Sequence, residues 1–327
     1  MLSLNPDALA ELSIPVGTGW LLGACMEARG KQDLWIRQKP EVLAALREQA
    51  IIQSVESSNR IEGVTIAPAR LRPVVLGNAP PRDRSEEELA GYRQALDWIF
   101  SRQRRVPLTP AVIQRLHALA QGGFSGDAGG SYPRLRRTTP KAVAALCLSY
   151  REIGDDQRLP PLLVVATFVL DLLCIHPFRD GNGRVSRLTA TLLLQSSGFQ
   201  VARYISLERI VEESKDQYYG ALAECSEGWH EGRNAVVPWW NYFLDVLRRA
   251  YVEFELQMGS VEARPAKSDL VRRAVLAQVE QFTLGDLAPQ VPVASPQLIK
   301  KVLAGMKQQG TVRLLGRGRG ARWEVVS

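Results

Sequence analysis

The sequence predicts a helical body closed by a small α+β module at its C-terminal end. Three observations carry that prediction. Apolar residues recur at helical spacing from Pro40 to Met258, with proline at helix starts and glycine at helix stops. Strand-like alternation is confined to the last ~15 residues, around an Arg/Gly turn. Charge is uneven too: residues 266–327 hold ten Lys/Arg against four Asp/Glu, which is +6 of the chain's net +7. A basic terminal module on a near-neutral body points to an anionic partner for the tail.

Length and composition set the outer limits. A chain of 327 residues favours two or three domains, and 46% apolar residues suffice for a substantial core. The expected divisions are an N-terminal helical region over 1–95, a helical core over 96–258 and the tail module over 268–327. The opening segment mixes Asn5, Pro6, Asp7 and Glu11 among its apolar residues, unlike a secretory leader. The longest apolar run, Leu162 to Ile175, contains Asp171 and is too short to span a bilayer. A cytoplasmic protein without a membrane partner is therefore expected. Cys25, Cys147, Cys174 and Cys225 are scattered, which argues against a zinc site or a disulfide framework.

The elements follow in order. A helix from about Pro40 to Ser58 carries Leu43, Leu46, Ala50, Ile51 and Val55 at helical spacing, and Gly63 stops it. Pro68, Pro73, Pro80 and Pro81 read as a connector. Ser85-Glu86-Glu87-Glu88 opens the next helix, with negative charge at its N-terminus and Leu89, Tyr92, Leu96 and Ile99 inward. Thr109-Pro110 starts another helix through His117, and residues 121–140 are weakly patterned. Pro160-Pro161 launches Leu162–Ile175, apolar nearly all round and so expected at the centre of a bundle. Helices from about Arg184 to Ser197, Leu207 to Cys225 and Val237 to Met258 complete the body. The block Trp229-His230-Glu231-Gly232 has no second His at ligand spacing and reads as structural.

The chemistry concentrates in His176-Pro177-Phe178-Arg179-Asp180-Gly181-Asn182-Gly183-Arg184-Val185-Ser186-Arg187. A helix start presents unpaired N–H groups and a partial positive charge, which together bind anions. Gly181 and Gly183 let successive N–H groups converge on a phosphate. Arg184 and Arg187 share a helix face and can hold further phosphate oxygens. Asp180 at the loop mouth is a natural Mg²⁺ ligand, and His176 can take a proton from an incoming hydroxyl. Phe178 reads as the apolar anchor of the loop. A lone terminal His, a Gly-Asn-Gly turn or an i, i+3 Arg pair each has an ordinary structural explanation; their combination in this order suits phosphoryl or nucleotidyl transfer.

This run resembles the signature of the Fic family (filamentation induced by cyclic AMP), H-P-F-x-[DE]-G-N-G-R-x-x-R, at every fixed position. The resemblance implies an all-α Fic-type core and transfer of AMP from ATP to a protein hydroxyl, with Mg²⁺ as cofactor. It makes His176 the general base, Phe178 the hydrophobic anchor and Asp180 the metal ligand. It assigns Gly181, Asn182 and Gly183 to the α- and β-phosphates, and Arg184 and Arg187 to phosphate binding. Ser58-Asn59-Arg60-Ile61-Glu62-Gly63 is similar to the family's inhibitory motif, [ST]-x-x-x-E-[GN], in which Glu62 would pair with Arg187 at the site of the γ-phosphate. Tyr218 and Tyr219 lie where the family places tyrosines near the adenine, with Asn241 a further candidate; helical geometry can direct only one tyrosine inward. The family's β-hairpin flap would fall at Gln121–Pro140. There Ser131-Tyr132-Pro133-Arg134-Leu135-Arg136-Arg137 reads as a shortened remnant, because Pro133 removes a backbone donor.

The tail reads as helix, short helix, helix, hairpin. Asp269–Phe282 comes first, then Thr283–Ala288, then a helix capped by Ser295-Pro296 with Leu298, Val302 and Met306 inward and Lys300, Lys301 and Lys307 outward. Strands Thr311–Leu315 and Ala321–Val326 flank Gly316-Arg317-Gly318-Arg319-Gly320. The layout resembles a winged helix-turn-helix, in which Lys300, Lys301, Arg317 and Arg319 would contact DNA phosphates; small winged helices also serve as protein-docking modules, so a protein is the alternative partner. Two functions follow as expectations: a protein adenylyltransferase autoinhibited by Glu62, or a winged-helix DNA-binding transcriptional regulator with a nucleotide-sensing core. The expected partners are ATP, a target protein or the chain itself, DNA through residues 268–327, and a second copy in a homo-oligomer.

Overall fold

A computed structural model of the chain describes every residue except Met1, Pro6, Ala8, Ala10, Lys39, 102–105, 123–138, 157–158, 263–266, 279–280, Val293, 317–320 and Ser327. The segment read as a shortened flap and the turn arginines Arg317 and Arg319 lie outside the described residues. Two units are distinguished, Met1–Glu255 and Leu256–Ser327.

The first unit is built from α1 (Val16–Gln38), α2 (Pro40–Ile61), α3 (Pro68–Val75), α4 (Arg84–Phe100), α5 (Pro110–Ala120), α6 (Thr139–Asp156), α7 (Pro161–Ile175), α8 (Asn182–Ser196), α9 (Leu207–Glu213), α10 (Lys215–Ser226) and the start of α11 (Val237–Glu262). α7 is its axis. Every residue from Leu162 to Leu173 is buried, as expected of a helix apolar on all sides. α8 returns along α7, with α6 and α5 beside this pair, while α4 and α2 pack in turn and α9 lies on α2.

The few polar groups on α7 are matched by indole donors. Trp239 Nε1 donates to Ala166 O (2.8 Å), Trp240 Nε1 to Thr167 Oγ1 (2.8 Å) and Trp229 Nε1 to Asp171 Oδ1 (2.7 Å). Asp171 also accepts from Ser3 N (3.0 Å) and Leu4 N (2.8 Å), so the opening residues are fastened to the axial helix. A buried carboxylate is tolerated only when so satisfied. Trp229 thus belongs to the core, in keeping with its structural reading.

Four features depart from the sequence reading. α1 carries four glycines, Gly17, Gly19, Gly23 and Gly30, which mask its helical signal. The expected proline connector contains α3, because Pro68 sits at its first turn, where no N–H partner is needed. α6, for which no helix start is recognised, fills the gap before α7. The expected single helix Leu207–Cys225 is broken at Ser214 (φ −114, ψ 33), whose hydroxyl turns back onto Ile210 O at 2.7 Å. α4 starts as expected, with Asp83 accepting from Glu86 N (2.9 Å), and Leu89, Tyr92, Leu96 and Ile99 are all buried.

The second unit contains α12 (Lys267–Leu276), α13 (Leu284–Leu287), α14 (Pro296–Gln308) and the antiparallel strands β1 (Val312–Leu315) and β2 (Arg322–Val325). α13 opens with a reciprocal Thr283/Asp286 capping box, and Ser295 caps α14. Phe282 pairs with Trp323 through two backbone hydrogen bonds of 2.9 and 2.7 Å, adding a third short chain to the hairpin. Val271, Val275, Phe282, Leu287, Ile299, Leu303 and Met306 are among its core residues. On α14 the fully buried positions are Ile299 and Leu303 rather than Leu298, which is only half-buried; Lys300, Lys301 and Lys307 are exposed. Among the described residues, no helix is long and apolar enough to cross a membrane.

Candidate functional site

The site lies where α7 ends and α8 begins. α7 stops at His176, whose backbone is left-handed (φ 50, ψ 60) while its N–H still closes onto Leu172 O at 3.1 Å. A non-glycine residue in that conformation is held there by its surroundings. His176 and Asp180 are exposed, and Phe178 is buried. Asn182 clamps the loop: its Nδ2 donates to Phe178 O (2.8 Å) and its Oδ1 accepts from Phe178 N (2.9 Å). Asp180 Oδ1 accepts from Gly181 N (2.7 Å), and Gly181 is left-handed (φ 78) immediately before α8.

Asn182 and Arg184 have other partners than the phosphates expected for them. The Asn182 carboxamide is spent on Phe178, which leaves only its backbone N–H for a ligand. Arg184 is 1% exposed and turns beneath the loop. Its Nη1 donates to Glu88 Oε2 (2.6 Å), Asn59 Oδ1 (3.3 Å) and Ala120 O (3.3 Å), while Nη2 lies 3.6 Å from Asp180 Oδ2. It joins α2, α4 and the end of α5 to the loop. Removing one partner of such a buried pair costs about 3–5 kcal/mol.

Arg187 faces Glu62. Its Nη2 donates to Glu62 Oε1 (2.8 Å) and Ser58 O (2.9 Å), and its Nε to Ser58 Oγ (2.9 Å). Burial works against its charge, but Glu62 and the Tyr218 and Tyr92 hydroxyls raise its pKa above the ordinary value. Arg187 Nη1 is buried and has no partner among the described residues. A methyl group built on Gly183 would run into Glu62 Oε1 and stand 3.0 Å from that Nη1. The glycine therefore gives the Glu62 carboxylate room at the first turn of α8, where an anion is favoured.

The two tyrosines divide as helical geometry requires. Tyr218 is buried against Trp239 and Tyr242, with ring centroids at 5.7 and 5.8 Å. Tyr219 is 43% exposed and meets Tyr218 edge-on at 5.0 Å. Burial pushes the Tyr218 hydroxyl up to about 12, with Arg187 opposing and Glu62 adding. Arg187 and Tyr218 also line an apolar cavity of about 50 Å³ with Leu207, Val211, Trp239 and Phe243. Asn241, the further candidate for an adenine contact, accepts instead from Thr18 Oγ1 at 2.6 Å and ties α1 to α11.

Sequence reasoning misses Asn59, Glu88 and His117. His117, on α5, stacks flat on Phe178 (centroids 3.8 Å apart, 5° between planes), with its Nε2 3.0 Å from Asp180 O. Burial lowers its pKa, opposed by that hydrogen bond and assisted by Arg184. Their signal is absent from the sequence because each is an ordinary helix residue until the fold brings it to the loop.

A glycine-bearing loop between two buried helices, with one arginine braced below it and another held by a glutamate, defines a helical class of fold. Residues 93–194 match the Fic/DOC family, and the chain carries a Fic/DOC domain. Among curated proteins it is similar to the protein adenylyltransferase Fic of Drosophila grimshawi, 29% identical over 205 residues, 58% of this chain and 41% of that protein. It is also similar to that of Drosophila virilis, 23% identical over 277 residues, 80% of this chain and 53% of that protein. The chain thus spans about half the length of these relatives or less. In fold it resembles a Fic family protein from Desulfovibrio desulfuricans, with a TM-score of 0.61 at 19% identity over 96% of this chain and 97% of the other. A Fic domain containing signaling protein from Bacteroides thetaiotaomicron gives a TM-score of 0.61 at 20% identity, over 74% and 99%.

Proposed function

We propose that the chain is an ATP-dependent protein adenylyltransferase held at rest by Glu62. The observation that carries this reading is the Arg187–Glu62 pair beside Gly183, at the mouth of a Fic/DOC loop where a buried guanidinium N–H has no partner among the described residues. In the proposed reaction the N–H groups at the start of α8 and Arg187 hold the triphosphate. His176 takes the proton of a protein hydroxyl, whose oxygen attacks the α-phosphorus. The bond from that phosphorus to the bridging oxygen breaks, and pyrophosphate leaves. The Asp180 side chain, 63% exposed at the loop mouth, offers the hard oxygen donors that suit Mg²⁺. When bound, that ion neutralises phosphate charge. With Glu62 on Arg187, the γ-phosphate is refused its cation and ATP settles unproductively.

Exchanging Glu62→Gly raises self-modification from labelled ATP by at least tenfold, and adding His176→Ala abolishes the gain. Equal labelling of parent and Glu62→Gly would overturn the reading.

A second reading concerns the tail. α14 buries Ile299 and Leu303 and exposes Lys300, Lys301 and Lys307, ahead of a hairpin. That arrangement supports a winged helix-turn-helix that contacts DNA phosphates; under it the Fic/DOC domain would sense nucleotide on behalf of a regulator.

A further inference from the structure

We propose that His117 is a positioning residue of the transfer reaction, setting the Asp180–Gly181 peptide from beneath the loop. This rests on the adenylyltransferase reading and adds to it a residue outside the loop. The ring is 7% exposed, so its contacts with Phe178 and Asp180 are made away from bulk water. The first is the flat stack on Phe178, at 3.8 Å and 5°. The second is directional: Nε2 lies 3.0 Å from Asp180 O. A carbonyl oxygen only accepts, so Nε2 is the donor and the ring's tautomer is fixed.

The consequence follows from peptide planarity. Holding the Asp180 carbonyl fixes the plane of the Asp180–Gly181 amide, and thereby the direction of Gly181 N–H. Gly181 N–H donates to Asp180 Oδ1 at 2.7 Å, so the same plane sets the carboxylate. The loop is braced twice, at Phe178 by Asn182 and at Asp180 by His117, and the stack couples both braces through the Phe178 ring. Lost donation from Nε2 frees the peptide to rotate. It leaves the apolar packing intact, which separates positioning from filling space. Partners that orient a metal-holding group are worth 10–100-fold in affinity or activity.

The test uses the full chain carrying Glu62→Gly. His117→Phe keeps a flat ring on Phe178 and removes the donor; His117→Gln returns an N–H at about the reach of Nε2. Labelled-AMP transfer is followed as kcat and KM for ATP, ATP binding is measured calorimetrically with Mg²⁺ and with chelator, and thermal melting reports folding. Expected for His117→Phe is a fall in kcat of about 10–100-fold, a weaker gain in ATP affinity from Mg²⁺, and a melting point close to that of Glu62→Gly. His117→Gln recovers part of both. If His117→Phe matches Glu62→Gly in transfer and in the Mg²⁺-linked gain, or if His117→Gln is no better than His117→Phe, the proposal is overturned. Should Glu62→Gly itself fail to transfer AMP, the adenylyltransferase reading falls, and the Mg²⁺-linked binding gain alone decides the role of His117.

Discussion

At the scale of single residues, Gly183 makes the sharpest demand. Any side chain there meets the Glu62 carboxylate and crowds Arg187 Nη1. The Glu62 carboxylate is the end of a flexible, partly exposed side chain and can swing aside, so Gly183→Ala destabilises the parent chain by no more than about 1 kcal/mol, the worth of a partly exposed ion pair. In Glu62→Gly the obstacle is gone and the cost shrinks. Denaturant melts of the two single variants and the double variant close the cycle; additive costs would mean that Gly183 and Glu62 do not meet. The loop is legible in the sequence because residue types that are each ordinary at a turn or helix start stand side by side in an order that a plain turn does not require. Its supports are not: His117 reaches Asp180 across 63 positions, Glu88 reaches Arg184 across 96 and Asn59 across 125. Nothing local distinguishes a core-facing glutamate that neutralises an arginine from one that only starts a helix.

At the scale of elements, boundaries marked by capping chemistry are readable and those set by packing are not. Asp83, Thr109, Ser206 and Ser295 each accept from a backbone N–H at a helix start. α1 escapes because its four glycines mask the helical pattern, and the break at Ser214 depends on a hydroxyl choosing Ile210 O. The α3–α4 corner carries a titratable tie. Glu86 accepts from Arg70 Nε (2.8 Å) and Nη2 (2.6 Å) and from Arg82 N (2.9 Å). The Arg70 guanidinium, against some desolvation and with help from Arg82 N, holds the Glu86 carboxyl down at about 2. A carboxyl depressed in the folded state stabilises above its unfolded value of ~4.3, and that contribution is lost as pH falls toward the folded one. The stability advantage of the parent over Glu86→Gln thus shrinks between about pH 4.5 and pH 2. A difference that stays flat over that range in paired acid melts would show that Arg70 does not hold Glu86.

At the scale of the whole molecule, the charge asymmetry is the readable part, since the basic share falls within a unit that has its own core. If α14 meets DNA, exchanging Lys300→Glu and Lys301→Glu lowers the slope of log affinity against log salt by about 1 per lost phosphate contact. An unchanged slope for the full chain would place any DNA contact elsewhere. The placement of Glu62 has a consequence for kinetics. Ser58 and Asn59, one turn and less before it, are fully buried and hold Arg187 and Arg184. α2 cannot lift away without unmaking the floor of the loop. Glu62 itself is 24% open to solvent, in the turn closed by left-handed Gly63. If Glu62 restrains the site as proposed, it would work as a revolving door rather than a drawbridge: a side-chain rotation, with no hinge or domain swing, would be enough to vacate Arg187. Such rotations take nanoseconds rather than milliseconds. Under that reading the setting of the brake would follow how strongly a rival anion competes for one guanidinium.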